Sequence, residues 1–153
     1  MFLECIGSKM EIKVEKEVQT LGIVVAAAII EGATVSNKIG RLQAKKKAFV
    51  EGLGEITESI EPPAGYLIAL AKNNGRLPTI NTVVDCYNLV SAETLLSIGA
   101  HDCKYIKGDM VFRITKGSEQ YTPLGEWKLE KVSAGEYACM DEEKILCWKD
   151  IRQ

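Results

Sequence analysis

The chain has 153 residues, 46% of them apolar and 26% charged, and 21 acidic against 19 basic side chains give a formal net charge of −2. A chain of this size buries roughly 68–70% of its unfolded surface, enough for one soluble domain over residues 1–153 without disulfide or metal staples. Near-neutrality excludes a surface given over as a whole to nucleic acid, because such binding rests on clustered Lys and Arg, but leaves room for a local basic patch.

Met1 to Gly7 carry Glu4 inside an apolar stretch and have no basic leader, which predicts neither a secretory signal nor export. Residues 10 to 16 alternate apolar and charged side chains, the period of a strand with one wet face. Leu21 to Ile30 is the longest apolar run. It is far shorter than the roughly 18 residues of a membrane helix, so no membrane partner is expected. Its Ile and Val content predicts a central strand buried on both faces. A cytoplasmic location follows.

From Ser36 or Asn37, either of which can cap a helix, Ile39, Leu42, Lys46, Phe49 and Val50 recur at helical spacing up to Gly52 and Gly54. Glu61-Pro62-Pro63 opens a second helix and Asn73-Asn74-Gly75 closes it. Thr79 can cap a third through Ile80, Val83, Val84, Tyr87, Val90 and Leu95. Beyond Gly99 strands are expected at Met110–Ile114, Glu136–Met140 and Lys144–Trp148, bounded by Lys107-Gly108-Asp109 and Lys116-Gly117-Ser118. Helices and strands are segregated, which predicts an α+β fold: a mixed or antiparallel sheet packed with about three helices.

Several chemistries are missing. There is no Walker A motif, and Thr57 stands where a dinucleotide fingerprint after Gly52-Leu53-Gly54 needs its third glycine. His101 is the single histidine, which removes two-histidine metal sites and reads as a structural or surface residue rather than a ligand. No metal and no cofactor are implied. Cys5, Cys86, Cys103, Cys139 and Cys147 form no CxxC pair and read as reduced and mostly buried.

On the third helix, Asn81, Asp85 and Asn88 fall within about 60° of one another, apart from the wider apolar face. Buried amides and carboxylates need partners, so this stripe either ties neighbouring loops to the helix or walls a pocket. Arg41, Lys45, Lys46 and Lys47 form either a solvated helix face or a phosphate-contacting edge. Asp109 and Arg113, four apart on a strand, suggest a structural ion pair.

The segment Arg76-Leu-Pro-Thr-Ile-Asn-Thr-Val-Val-Asp-Cys-Tyr-Asn-Leu-Val-Ser91 carries the pattern Leu-Pro-x-Ile-Asn-x-x-Val-Asp-x-x-Asn-x-x-Ser. With Ile98 to Asp102, Ile106 to Arg113, Tyr121 to Gly125, Cys147-Trp148 and Arg152-Gln153, it resembles the B3/B4 editing domain of the phenylalanyl-tRNA synthetase beta subunit and its free-standing relatives, over about residues 20–153. The resemblance implies a B3/B4-like pocket that receives a wrongly attached amino acid and hydrolyses its ester to tRNA, in trans for a free-standing chain. The implied partner is tRNA or aminoacyl-tRNA, and a non-catalytic RNA- or partner-binding module of the same fold is the alternative. Asn81, Asp85, Asn88, Gly108 and Asp109 are the motif positions implied for the substrate pocket, and Arg41, Lys45, Lys46 and Lys47 would contact tRNA. Gly99 stands where the synthetase domain has a histidine, so no catalytic residue is carried over. The resemblance also implies a member shortened at its C-terminus. The amino acid, the tRNA and the oligomeric state stay open.

Overall fold

The computed structural model describes residues 2–5, 8–37, 39–54, 64–123 and 126–148, with side chains from residue 10 onward. It is α+β and divides into two compact units, residues 1–31 with 101–153 and residues 32–100.

The first unit carries the sheet. Its elements are β1 (Phe2–Cys5), β2 (Ser8–Val14), the short α1 (Lys16–Thr20), β3 (Met110–Lys116), β4 (Gln120–Tyr121), β5 (Glu130–Lys131), β6 (Ala134–Met140) and β7 (Ile145–Trp148). A five-stranded sheet runs β1-β2-β3-β6-β7, and β4 pairs with β5 separately. The sheet is mixed: β2 and β3 are parallel, with Ile12 opposite Met110, and the other pairs are antiparallel. Parallel neighbours cannot be joined by a tight turn, and here the whole second unit lies in the chain between them. The ladder extends past β2, where the Glu15 amide donates to Phe112 O at 2.9 Å, and α1 then packs the fully buried Val18 against β3.

Two apolar clusters hold the sheet unit. Met10, Ile12, Met110, Cys139 and Leu146 form one, and Tyr121, Val132, Ala138, Met140 and Ile145 the other. Trp148 closes the second edge-on to Tyr121, ring centres 5.9 Å apart, while its indole N–H donates to Glu136 Oε2 at 2.6 Å. Asp141 turns β6 into β7 by accepting from the amides of Glu143 and Lys144 at 2.8 Å each, and from Lys107 at 3.0 Å. Burial pushes its carboxyl up, but these three donors outweigh it and hold the group below its ordinary range.

The second unit is helical: α2 (Gly40–Gly52), α3 (Ala64–Asn74) and α4 (Thr82–Thr94). Leu42, Leu67, Ile68, Ala71, Leu77, Leu89 and Ala92 form its core, with Phe49, Val50 and Leu53 at the margin. Gly75, at φ +64°, ends α3 as the Asn-Asn-Gly signal predicts. The helix-opening Glu61-Pro62-Pro63 lies outside the described residues.

Four expectations are corrected. Leu21–Ile30 is not a strand, and Val24 and Ile30 are 92% and 81% exposed; an apolar run becomes a central strand only where neighbouring strands and covering layers exist on both sides, and none is seated on it among the described residues. The start of α2 is Ile39, extended at φ −124° and ψ 122°, not Ser36 or Asn37. Ser36 instead pairs with α4, accepting from the Thr82 amide at 2.8 Å and donating its own to Thr82 Oγ1 at 3.0 Å. Asn81, not Thr79, caps α4. Finally, Cys103 is disulfide-bonded and the free Cys86 is exposed, so the cysteines are neither all reduced nor mostly buried. No helix among the described residues is long and apolar enough to cross a membrane.

Candidate functional site

The Leu77-Pro78-Thr79-Ile80-Asn81 segment leads into α4, and its geometry follows from three polar side chains. Asn81 Oδ1 accepts from the amides of Val83 and Val84 at 3.0 Å each, satisfying two of the helix's orphan donors. Asp85 sits one turn in, with its side chain 1% exposed. Its Oδ1 accepts from the Ile80 amide at 2.9 Å, which folds the entry segment back onto the helix. Its Oδ2 accepts from Gln43 Nε2 at 3.1 Å and from Lys46 Nζ at 2.8 Å, both on α2.

Lys46 is as deeply placed, its side chain 4% exposed. The ammonium has three donors and uses all of them: on Asp85, on Thr79 Oγ1 at 3.0 Å, and on the Pro78 carbonyl. A buried ion pair repays its desolvation only when such extra hydrogen bonds saturate both partners, as here. Burial pushes the Asp85 carboxyl up, yet the bonds from Lys46, Ile80 and Gln43 prevail and hold it below the usual carboxylate range. The pair thus ties Pro78 and Thr79 to two helices.

Pro78 and Thr79 are in turn one wall of an open cleft of about 270 Å³, completed by Leu70, Asn74 and Arg76. Leu70 is half-buried and Arg76 exposed, so the cleft offers an apolar patch beside a guanidinium, a carboxamide and a hydroxyl. Its volume lies just below the usual range of roughly 300–1,000 Å³ for ligand sites, so it has room only for a small group.

The expected pocket residues do not all meet there. Asn81 and Asp85 stand behind the cleft wall in bonds to backbone and to α2, and neither lines it. Asn88 is half-buried, and its side chain has no hydrogen bond among the described residues. Gly108 and Asp109 belong to the sheet unit. Gly108, at φ +69°, lies under Glu142, and Asp109 accepts from the Glu11 amide at 2.9 Å and pairs with Lys13 Nζ at 2.7 Å, bonds that hold its carboxyl below the ordinary range. Asp109 therefore does not pair with Arg113, which binds Glu119 at 2.8 Å.

Of the basic run, Arg41, Lys45 and Lys47 are exposed, with Lys47 3.5 Å from Glu51 one turn on. Lys46 cannot reach a phosphate, because its charge is buried and fully engaged. Its place on the same helical stripe as Leu42, Phe49 and Val50 separates it from its neighbours already in the sequence. Nothing in the local spacing of Arg76 and Leu70 marks a cleft in the sequence.

The profile of the B3/4 domain family matches residues 47–153, and the chain belongs to that family. The match takes in α3, α4 and every strand from β3 onward; Lys46 lies one residue before it. No curated protein and no solved structure matches the chain.

Proposed function

We propose that this B3/4 domain binds the aminoacyl end of tRNA in the cleft formed by Leu70, Asn74, Arg76, Pro78 and Thr79, and there hydrolyses a mischarged ester in trans. Family membership supports the substrate class. The observation that carries the reading is a small cleft whose wall is clamped from behind by the buried Lys46–Asp85 pair. Arg76 and Thr79 supply donors for the ester carbonyl oxygen, and Leu70 an apolar surface for the amino acid side chain. An aminoacyl ester is already activated, so a water held beside its carbonyl and donors for the developing oxyanion suffice, without a nucleophilic side chain. Asn81 and Asp85 fix the wall, Asn88 lies further along the same helix, and the Gly108-Asp109 turn has a supporting part within the sheet unit. Arg41, Lys45 and Lys47 contact the tRNA backbone, in the cytoplasm where charged tRNA is used.

A second reading, a non-catalytic module that binds the same end of tRNA, is favoured by one specific observation: Asn81 and Asp85 are both engaged in structural bonds. Deacylation of a panel of correctly and wrongly charged tRNAs by the purified chain separates the two. Hydrolysis at least about tenfold above buffer for one mischarged species, reduced in Arg76→Ala, is the expected result. Binding without hydrolysis selects the second reading, and neither binding nor hydrolysis overturns both.

A further inference from the structure

Outside the cleft, the sheet unit holds a second constellation. Cys139 on β6 and Cys147 on β7 are directly opposed across an antiparallel pair. Both thiols are free, Cys139 buried and Cys147 half-buried, and each is the other's nearest titrating neighbour in electrostatic effect. His101, also half-buried, is close enough to act on the Cys147 thiol as well. Directly opposed residues place their Cα atoms about 4.5–5.5 Å apart, inside the roughly 4.4–6.8 Å span of a disulfide. That register admits a cross-strand disulfide.

We propose that Cys139 and Cys147 are a redox-active cross-strand dithiol that takes hydroperoxides as oxidant, with Cys147 the attacking thiolate, His101 its positioning residue and Cys139 the resolving thiol. The asymmetry comes from the surroundings. Cys139, followed by His101, draws the Cys147 thiol below its ordinary pKa in spite of burial. Cys139 is pushed the other way by Cys147 itself, by burial and by the Asp141 carboxylate. Cys147, the less buried of the two, is also the sulfur a hydroperoxide reaches first, and the buried Cys139 follows as resolving thiol.

In the first step the Cys147 thiolate attacks the outer oxygen of the hydroperoxide. An S–O bond forms, the O–O bond breaks, and the departing alkoxide or hydroxide takes a proton from solvent, leaving sulfenic acid on Cys147. In the second, Cys139 gives up its proton as its sulfur attacks that of Cys147. The S–S bond forms, the S–O bond breaks, and hydroxide leaves with that proton as water. Two thiols have lost two electrons, and the hydroperoxide has gained them. An added dithiol reverses the change by exchange.

The test uses the full chain and hydrogen peroxide. Exposed Cys86 serves as internal reference, and Cys103 is already disulfide-bonded. Peptide mapping is expected to show Cys139 linked to Cys147 with loss of two hydrogens, reversed by dithiothreitol. Iodoacetamide should alkylate Cys147 about tenfold faster than Cys86 near pH 7. His101→Ala should reduce that advantage and lower the ultraviolet thiolate absorbance, and His101→Gln, which retains a donor, should restore part of both. In Cys139→Ser, dimedone should trap the sulfenic acid on Cys147. Peroxide treatment that leaves both thiols free, or that oxidises Cys86 ahead of Cys147, overturns the proposal.

Discussion

Asp85 is the residue on which the helical unit's polar structure converges, since one carboxylate receives donors from its own entry segment and from two side chains of α2. Removing a single partner from such a pair strands the other charge in the interior. Asp85→Ala is therefore expected to destabilise the chain by about 3–5 kcal/mol, measured by urea unfolding, with Lys46→Met costing a similar amount and the double variant costing less than the sum. Additive losses would mean that the two charges do not support one another. At the far end of α4, Leu95 caps the helix at φ +61°, a left-handed conformation that costs a branched side chain about 1–2 kcal/mol. Leu95 is 53% exposed, so Leu95→Gly gives up little packing and should raise stability by about 1 kcal/mol; an unchanged or lower Tm would show that the leucine has packing value there.

At the level of elements, α2 divides its charges between two tasks. Lys46 faces inward, whereas Arg41, Lys45 and Lys47 face solvent, so reversing those three to Glu should leave the unfolding midpoint within about 0.5 kcal/mol. The same change should weaken tRNA binding, and lower its salt dependence by up to about three phosphate contacts. Undiminished affinity at low salt would remove α2 from the interface. Elements with local punctuation could be read from the sequence: the Asn-Asn-Gly stop of α3, and the β3, β6 and β7 runs bounded by turn residues. Leu21–Ile30 misled for a physical reason. Apolarity records that a segment can be buried, but whether partner strands exist is decided by distant parts of the chain. The same holds for the site: the Asn81, Asp85, Asn88 stripe was legible, but the partner of Asp85 lies 39 residues away, and the cleft depends on how α3 meets the segment after it.

For the whole molecule, the distribution of carboxylates sets the acid limit. Asp85, Asp109, Asp141 and Glu119 all have folded-state pKa values below their unfolded ones, so each contribution is complete above roughly pH 4 to 5 and is lost as pH falls through the folded value. Glu119 gives the widest window. Burial pushes it up, but the Lys116 amide, its own backbone N–H and the Arg113 guanidinium carry it from 4.5 down to about 2. Glu119→Gln should flatten the stability profile between those values; an acid limb as steep as before would mean that this carboxylate does not govern it.

Whether the cleft beside the Lys46–Asp85 clamp receives the charged end of tRNA is a question of relative affinity. Its most direct measurement is the Kd of the chain for one tRNA in charged and uncharged form, taken at fixed salt with wild type, Arg76→Ala and Leu70→Asp. Wild type is expected to prefer the charged form, and both variants to lose the preference while keeping their affinity for uncharged tRNA within a few-fold. Equal affinity of wild type for the two forms, or a preference that survives both substitutions, would contradict it.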